Sequence, residues 1–259
     1  MLTEQRITEN GIQTIDKVDI AIARIREFEP EEGYYVAFSG GKDSVVILDL
    51  VKRARVKFDA HYNLTTVDPP ELVKFIKTFP DVERHHPEKT MWQLIVENGM
   101  PPLRQMRYCC RILKERGGEG RFVITGVRAA ESNKRAGRKM VESCLRDGSK
   151  RYLHPIIDWS DVEVWEYIHK HDVRYCSLYN EGWKRLGCVC CPNANQRRQA
   201  ERWPKIAAAY KRACVRAYDR GLKKGKKYKD NWQNGEQMYE WWINGQPGEK
   251  ESDQSILFE

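Results

Sequence analysis

The residues with the clearest chemical potential are cysteines, which fall close together at two places in the chain. Cys109 and Cys110 are adjacent, and Cys188 and Cys191 form a Cys-x-x-Cys pair that also encloses Cys190. A Cys-x-x-Cys pair is typical of a zinc site, a redox dithiol or an iron–sulfur cluster. Adjacent cysteines suit one tetrahedral ion poorly because their side chains diverge, whereas a cubane offers a separate iron atom to each. The spacing favours a cluster and leaves zinc as the alternative.

A second stretch that could do chemistry is a glycine loop between an apolar strand and an apolar helix. It consists of Ser39, Gly40, Gly41, Lys42, Asp43 and Ser44. Backbone N–H groups and the helix dipole favour an anion at such a position, and glycines let the backbone approach a phosphate closely. Lys42 and the flanking hydroxyls can complete the cradle. The loop lacks the Walker A pattern, and an ordinary tight turn is the alternative interpretation.

Further motifs follow the glycine loop in a fixed order along the chain. They are TVDPPE at 66–71, YCCRILK at 108–114, GVRAAES at 126–132 and LYNEGW at 178–183, which runs into Gly187 and Cys188. Together with SGGKDS they resemble the phosphoadenosine phosphosulfate reductase family of PP-loop, adenine-nucleotide α-hydrolase-like enzymes. The resemblance covers roughly residues 34–192. The enzymes that the chain resembles include iron–sulfur adenylyl-sulfate reductases and DNA phosphorothioation ATP pyrophosphatases.

The resemblance implies a site for an adenine nucleotide, with ATP and Mg²⁺ in the ATP-using members. Its nucleotide-binding residues would be the six loop residues with Asp68, Gly126 and Arg128, and its catalytic residues Lys42, Asp43 and Arg128. Cys109, Cys110, Cys188 and Cys191 would hold a [4Fe–4S] cluster, although Cys190 could replace a neighbour. From the residues alone, Asp68 could instead cap a Pro-Pro turn, and Arg128 could form a surface ion pair.

One departure from the family decides between its activities. The reductases carry their nucleophilic thiol in a C-terminal Glu-Cys-Gly motif, whereas no cysteine follows Cys214 here. We therefore expect ATP cleavage to AMP and pyrophosphate that activates an acceptor for sulfur transfer, such as DNA phosphorothioation or another nucleic-acid thiolation. A sulfur-donor protein such as a cysteine desulfurase would be a partner. The alternatives are a sulfonucleotide reductase that uses a displaced or external thiol, and a non-catalytic iron–sulfur subunit that binds nucleic acid.

The net charge of +8 is confined to one segment near the second cysteine group. Residues 201–230 contain eleven basic and three acidic residues, so this segment carries the whole excess. A local basic field favours a polyanion, and we expect DNA or tRNA to be its partner. The alternative is a solvated helix with Ile206, Tyr210, Cys214 and Tyr218 on its buried face. Trp232, Trp241 and Trp242 are expected to dock a terminal helix rather than to stack on bases.

Composition narrows the class of protein. The chain has 259 residues, of which 41% are hydrophobic and 32% are charged, as expected of a folded globular protein. No stretch reaches the roughly 18–20 apolar residues that a membrane span needs, and the first residues lack a signal-peptide layout. We therefore expect a cytoplasmic protein whose cysteines do not form a disulfide framework. We also expect that this protein can form a homo-oligomer.

The order of apolar runs predicts the elements that position these residues. Helices are predicted at 14–28, 45–54 and 72–78 and from Ser160 onward, and strands at 34–38, 58–64, 122–127 and 153–157. Strands that alternate with helices predict an α/β fold, with a parallel sheet flanked by helices. We expect a Rossmann-like nucleotide-binding domain at 1–158 and a smaller helical, cysteine-containing and basic part at 159–259.

Overall fold

The computed structural model describes residues 1–9, 11–144, 148–226, 228 and 232–245, without the side chains of Arg6 and Thr8. Its strands are β1 (Thr3–Thr8), β2 (Gly11–Asp16), β3 (Tyr34–Ala37), β4 (Phe58–Asn63), β5 (Val82–His85), β6 (Phe122–Ile124), β7 (Val141–Ser143) and β8 (Arg151–Leu153). Its α-helices are α1 (Lys17–Glu27), α2 (Lys42–Ala54), α3 (Pro70–Ile76), α4 (Met91–Asn98), α5 (Asn133–Ala136), α6 (Asp161–Lys170), α7 (Gln196–Arg202), α8 (Pro204–Lys223) and α9 (Gly235–Ile243).

The central element is a six-stranded sheet with the order β5-β4-β3-β6-β8-β7. All neighbours are parallel except β7 and β8, which are antiparallel. The chain leaves β3 toward β4 on one side and later returns to β6 on the other. The gap between the carboxyl ends of β3 and β6 is therefore the point where ligands bind in open α/β sheets. The predicted α/β fold with a mostly parallel sheet is confirmed.

Local sequence explains why the helices on this sheet begin and end where they do. The apolar run of α2 buries Val46, Leu50 and Val51 against the sheet. Ser160 and Glu163 form a capping box at the start of α6, as the sequence predicts for a helix opened by Ser160. Such caps satisfy N–H groups that have no partner within the helix.

Several predicted boundaries are wrong. The first helix begins at Lys17, since residues 14–16 belong to the β1–β2 hairpin, and the strand expected at 153–157 is 151–153. The strand expected at 122–127 ends at Ile124, because the chain turns there toward the site. The short strands β5 and β7 were not predicted, because four and three residues are too few to show an alternating pattern.

The C-terminal part is helical, and α8 contacts both α4 and α9. The predicted buried face of α8 is confirmed for Tyr210, Cys214 and Tyr218. The tryptophans pack as expected, and the buried indole of Trp242 donates a 2.7 Å hydrogen bond to the carbonyl of Pro102. Helix α6 contacts α2 across the predicted domain boundary at residue 158, so the two parts are in contact there. The boundary itself stays a prediction.

None of the described helices combines the length and the apolar character that are needed to cross a membrane.

The close approach of β6 to α2 gives a test of the fold. A Cβ atom on Gly126 would lie 2.9 Å from the carbonyl carbon and oxygen of Asp43, so Gly126→Ala must push the start of α2 away. We expect the free energy of unfolding in urea to fall by about 1–3 kcal/mol, the usual cost of overpacking. Gly137→Ala is the control, because its Cβ would meet no atom closer than 3.7 Å. Equal stability of the two variants would contradict this contact.

Candidate nucleotide and cysteine site

The glycine loop joins β3 to α2 at the switch point of the sheet. Gly40 has φ +72°, and a Cβ there would lie 2.8 Å from side-chain atoms of Leu72 and Ile76 on α3. A side chain at position 40 would therefore be strained in its backbone and would also clash with α3. Gly41 is the residue before α2, and no side chain caps the helix there. The sequence thus places bare backbone at the positive end of a helix dipole.

Hydroxyl groups fix the shape of this loop. The hydroxyl of Ser44 donates to the carbonyl of Gly41 at 2.9 Å, and the amide of Ser39 donates to the hydroxyl of Ser44 at 3.2 Å. The amide of Lys42 donates to the phenol oxygen of Tyr179 at 2.8 Å. Tyr179 lies in a 3₁₀ turn at Ser177–Glu181, 137 positions along the chain. The C-terminal part therefore contributes a polar atom to the loop.

The charged residues around the loop form one network. Arg128 is 2% exposed and donates to Asp43 at 2.7 Å and to Asp161 at 3.0 Å. The ammonium of Lys42 lies 3.2 Å from Asp43 and 2.9 Å from the same oxygen of Asp161. Two cations and two carboxylates therefore alternate at the start of α2, and the first turn of α6 supplies Asp161. The network joins residues that are far apart in sequence into one rigid corner.

The network changes the acidity of its members in opposite directions. Burial favours the neutral form of Asp161, but hydrogen bonds and charge from Lys42 and Arg128 lower its pKa below the usual value. Burial likewise disfavours the guanidinium of Arg128, yet Asp43, with help from Glu131 and Asp161, raises its pKa. Asp161 and Arg128 are therefore charged at neutral pH, and charge-assisted hydrogen bonds hold the network together.

A cavity of about 220 Å³ lies beside the loop, at the carboxyl ends of the parallel strands. Its lining includes Ala37 and Ser39 after β3, His61 and Asn63 on β4, and Thr125 after β6. Gly126 packs directly on Asp43, which places the chain after β6 against the loop. The predicted residues Ser39, Lys42, Asp43, Gly126 and Arg128 are thus neighbours.

Asp68 lies in a turn that connects the two predicted sites. Its carboxylate accepts a 2.7 Å hydrogen bond from the amide of Thr65, so it caps the turn as the alternative interpretation expected. The thiol of Cys188 lies 3.4 Å from the hydroxyl of Thr65, and the amide of Val189 donates to the carbonyl of Val67 at 2.8 Å. The turn after β4 is therefore attached to the second cysteine group.

The four predicted cysteine ligands gather near this turn. Cys109 and Cys110 lie at the start of a single π-helical turn, Cys110–Lys114. A hydrogen bond from the Cys109 thiol lowers the pKa of Cys110 to about 6, against the effect of burial. The pKa of Cys109 is raised by Cys110 and by burial, and Cys188 and Cys191 raise it further through space. The folding of the chain thus brings sulfur atoms from two distant motifs together.

Lys114 faces this group of sulfur atoms. Its pKa is raised chiefly by Cys188, with Asp68, Cys110 and Cys191 acting in the same direction and burial opposing them. An ammonium next to several thiols favours their thiolate forms, which are the forms that bind metal. Lys114 closes the YCCRILK motif in the sequence, so the motif supplies two thiols and one cation to one place.

Cys190 points away from the other cysteines of its motif. Its φ of +56° lies in the left-handed region, and its side chain is fully buried. The thiol lies 3.9 Å from the carbonyl oxygen of Gln196, and burial raises its pKa to about 12. The inverted backbone at Cys190 therefore separates its side chain from that of Cys191.

The separation of the sulfur atoms bears on which metal they suit. Among the described residues, which include all eight cysteines, no three cysteine sulfurs lie within 4.8 Å of one another. Four thiolates on one zinc ion would lie roughly 3.8 Å apart, given Zn–S bonds of about 2.3 Å in a tetrahedron. A cubane needs wider spacing, because each thiolate binds a different iron atom.

Sequence reasoning missed two charged residues of this region. Asp161 completes the network around Arg128, and nothing in its own motif signals that contact. Arg185 lies near Arg135 and close enough to Asp43 and Cys191 to sense their charges, and burial with the charge of Arg135 lowers its pKa to about 10. It precedes Cys188 by three positions, inside the stretch that leads from LYNEGW to the cysteines. Arg185 therefore lies between the glycine loop and the cysteine group.

Comparison with known proteins gives relatives of two kinds. Two uncharacterised proteins of Methanocaldococcus jannaschii are 33% identical over 204 residues and 27% identical over 218 residues. The matches cover 72% and 78% of this chain but 42% and 53% of those proteins, so the chain spans about half their length. The adenosine 5'-phosphosulfate reductase of Allochromatium vinosum is 30% identical over 179 residues, covering 61% of this chain and 67% of that enzyme.

The solved structures and the family models complete the comparison. A phosphoadenylyl-sulfate reductase from Candida auris, solved as a phosphate complex, aligns with a TM-score of 0.49 and 17% identity, covering 65% of this chain and 87% of that one. The model of the phosphoadenosine phosphosulfate reductase domain matches residues 33–194, which is more than half of the chain and includes both sites described above. The chain belongs to the phosphoadenosine phosphosulfate reductase domain family.

Proposed function

We propose that this chain is a nucleotide-dependent enzyme of sulfur transfer that cleaves ATP to AMP and pyrophosphate and thereby activates an acceptor. The observation that carries the proposal is the glycine loop at the switch point, where α2 begins after Gly41 without a side-chain cap and a cavity lies beside it. The amide of Lys42 would exchange its bond to Tyr179 for one to a phosphate. This arrangement favours phosphate groups on the loop and a nucleoside in the adjoining space. Family membership supports the nucleotide, whereas ATP itself is part of the proposal.

The cavity and the loop divide the nucleotide between them. The cavity of about 220 Å³ is smaller than the roughly 300–1,000 Å³ of typical ligand pockets, so it suits the nucleoside part alone. The phosphates then lie outside it, on the amides of the loop and near Lys42. Mg²⁺ arrives with the phosphates, since this ion is commonly held by one or two carboxylates and the substrate. Asp43 is the carboxylate of the glycine loop that could bind this ion.

Lys42 and Arg128 have different parts in this proposal. Lys42 lies at the start of α2, where its ammonium can exchange a carboxylate contact for a phosphate contact. Arg128 is buried and already donates to Asp43, Asp161 and the carbonyl of Trp159. We therefore assign Arg128 the role of positioning the loop, and Lys42, Arg185 and the loop amides the role of stabilising negative charge on the phosphates.

The proposed reaction consists of two displacements and a final reduction. An acceptor oxygen forms a bond to the α-phosphorus, the bond from that phosphorus to the bridging oxygen breaks, and pyrophosphate leaves with the electron pair. The terminal sulfur of a donor persulfide, such as that of a cysteine desulfurase, then displaces AMP from the acceptor. An external thiol reduces the resulting S–S bond, which leaves sulfur on the acceptor and releases the donor protein. Preorganised cations and amides lower the barrier to the first step, because negative charge builds up on the departing pyrophosphate.

The four clustered cysteines fit an iron–sulfur group. Their spacing is too wide for a preformed zinc site, and Cys110 and Lys114 supply thiolate character and a compensating cation. Cys109, Cys110, Cys188 and Cys191 would hold a [4Fe–4S] cluster, and Cys190 would not, because its thiol faces Gln196. When bound, such a cluster supplies iron sites that can hold sulfur or carry an electron next to the nucleotide.

The acceptor we favour is a nucleic acid, either DNA or tRNA. The exposed side of α8 carries Lys211, Arg212 and Arg216, which line a groove of about 550 Å³ with Glu236 on its rim. Arg202 of α7 does not add a free cation to this surface, because it is paired with Glu71 of α3 at 2.8 Å and with Glu181 at 3.0 Å. The basic surface of α8 suits a phosphate backbone.

A sulfonucleotide reductase is the second candidate, because relatives with 30% identity are named adenosine 5'-phosphosulfate reductases. That reaction needs a reactive thiolate outside the cluster. Cys176, Cys190 and Cys214 are buried, and burial raises the pKa of all three thiols. The remaining cysteine outside the proposed cluster, Cys144, is only partly buried. A reductase reaction would therefore use that thiol or one from a partner such as thioredoxin, and sulfite release in the presence of thioredoxin separates the two candidates.

Lys42 tests the nucleotide chemistry. We expect Lys42→Ala to abolish pyrophosphate release from ATP, measured with DNA or tRNA and a sulfur donor present, because it removes a cation from the loop. Far-ultraviolet circular dichroism should stay unchanged. Lys52→Ala is the matched control on the same helix, since Lys52 pairs only with the exposed Asp81 at 2.6 Å. Release of ADP and phosphate by the unmodified protein would refute the proposed cleavage.

Arg128 tests the distinction between positioning and phosphate binding. Arg128→Ala removes the buried partner of Asp43 and Asp161, although Lys42 still faces both carboxylates. We expect a loss of about 1–3 kcal/mol in the free energy of unfolding. Arg53→Ala should cost less than about 1 kcal/mol, because Arg53 forms a surface ion pair with Asp49. If Arg128→Ala lost nucleotide affinity without losing stability, its role would be direct binding instead.

Neighbouring cysteines test the cluster. After anaerobic purification we expect about four iron atoms per chain, a loss of iron in Cys191→Ala and full iron content in Cys190→Ala. The physical reason is that the Cys190 thiol faces the carbonyl of Gln196 and not the other sulfurs. Metal analysis and the visible absorption spectrum give the readout. A colourless protein that contains zinc and no iron would rule the cluster out.

A further inference from the structure

A second group of potential metal ligands lies on the sheet, away from the cysteines. Side chains alternate between the two faces of a strand, so Asp59, His61 and Asn63 of β4 share one face. In the parallel register His61 pairs with Glu83, and Asn63 pairs with His85. The face therefore carries two imidazoles and two carboxylates on adjacent strands.

Three of these side chains converge on one point. The Nδ1 atom of His61 lies 2.7 Å from Nε2 of His85 and 3.6 Å from a carboxylate oxygen of Glu83. One potential ligand atom from each of the three residues lies within 4.8 Å of the others, and no other such group of histidine, cysteine and acidic residues occurs in the described part of the chain. Two histidines and one glutamate are a ligand set of catalytic zinc sites.

Hydrogen bonding assigns the proton positions on His61. Its Nε2 atom faces a carboxylate oxygen of Asp59, so Nε2 carries the proton and Nδ1 presents a lone pair. The guanidinium of Arg121 donates to the other carboxylate oxygen of Asp59 and holds this carboxylate in place. Asp59 therefore stays an acceptor, and the tautomer of His61 is fixed.

The remaining contacts allow two arrangements at the convergence point. A proton on Nε2 of His85 would form a hydrogen bond to Nδ1 of His61 across their separation of 2.7 Å. A proton on Nδ1 of His85, which lies 3.7 Å from the other oxygen of Glu83, would leave two lone pairs facing each other. In the second arrangement a cation between the two nitrogens accepts both lone pairs.

The surroundings hold the ligands in the way that known metal sites do. Metal-bound histidines usually donate their second N–H to a carboxylate, which here is Asp59, itself held by Arg121 at 2.5 Å. The ring of Tyr35 stacks on His61 with centroids 4.2 Å apart, and Arg116 donates to the carbonyl of His85 at 2.7 Å. The ring of His61 and the end of β5 are thereby fixed.

We propose that His61, Glu83 and His85 bind a divalent transition-metal ion of the zinc class, in a site separate from the cysteine group. The two nitrogens have to move apart to roughly 3.3 Å, given tetrahedral Zn–N bonds of about 2.0–2.1 Å. Glu83 can follow, because its side chain is 66% exposed. Three protein ligands leave one coordination position for water, at the rim of the cavity that His61 lines.

The ion would join the edge strand β5, which pairs only with β4 in the described sheet, to its neighbour. Binding to the folded state alone stabilises that state, so zinc should raise the temperature of thermal unfolding. Its ligands belong neither to the glycine loop nor to the cysteine motifs, but His61 also lines the cavity assigned to the nucleoside. Zinc counting without nucleotide therefore tests this site independently of the proposed reaction.

The zinc content of the full chain tests the proposal. Each variant is compared with the unmodified protein, so any metal bound by the cysteines is common to both. After incubation with Zn²⁺ and removal of loosely bound metal, we expect Glu83→Gln and His85→Ala to contain one zinc fewer per chain than the unmodified protein. His86→Ala is the matched control, because His86 is exposed and follows directly in sequence. Asp59→Asn should keep the site but weaken zinc binding by about 10–100-fold in a chelator competition.

Circular dichroism of each variant shows whether it folds. If His85→Ala does not fold, Glu83→Gln still tests the proposal, because Glu83 is exposed and its substitution should not affect folding. Equal zinc content in Glu83→Gln and the unmodified protein would overturn the proposal, as would equal loss in His86→Ala. The two rings would then be joined by a hydrogen bond instead. A zinc-dependent rise in unfolding temperature that His86→Ala retains and Glu83→Gln loses would support the metal.

Discussion

The buried guanidinium of Arg128 is the interaction on which the organisation of the site depends. It holds the carboxylates of Asp43 and Asp161, which lie in the first turns of α2 and α6, two helices that contact each other. One side chain thereby sets the position of α2 relative to α6 and, with it, the position of the glycine loop. Such a buried pair gives little net stability by itself, but the loss of either partner is costly. Its contribution is therefore geometric, since it fixes where a phosphate can bind.

The two candidate sites share backbone connections and are not independent modules. Tyr179 contacts the glycine loop, and the same segment continues to Arg185 and Cys188. Cys188 in turn contacts Thr65 in the turn that Asp68 caps after β4. A movement of the loop would therefore reach the sulfur atoms through covalent chain and hydrogen bonds. This proximity suits a reaction in which a nucleotide and sulfur meet.

The sequence predicted the elements that have strong local signals. Three elements were predicted correctly, because the signal for each lies in neighbouring residues. They are the apolar strand before SGGKDS, the helix after it and the start of a helix at Ser160. The hairpin at β1 and β2 was missed although Asn10-Gly11 is a typical hairpin dipeptide and Gly11 has φ +109°. The spacing of Ile15, Val18 and Ile22 favoured a helix that began three residues too early.

The site was only partly predictable, for a different reason. Motifs indicated Lys42, Arg128 and the cysteines because those residue types carry chemistry by themselves. The role of Arg128 depends on Asp161, which lies 33 positions away, and on burial that no local pattern reveals. The direction of Cys190 depends on one backbone angle. The cluster of His61, Glu83 and His85 was missed because β5 was missed, so the register that joins them was not known.

The edges of the central sheet limit how this chain can associate with copies of itself. One edge is β5, with four residues that include Glu83 and Arg84, and the other is β7, with three residues around Glu142. Strands that are short and charged make poor templates for an incoming strand, because few hydrogen bonds form and like charges meet. The described sheet is thus protected at both ends from continuing into a neighbouring molecule. A homo-oligomer would therefore form through helix or loop surfaces or through the separate β1–β2 hairpin, where Ile7 and Ile12 are exposed.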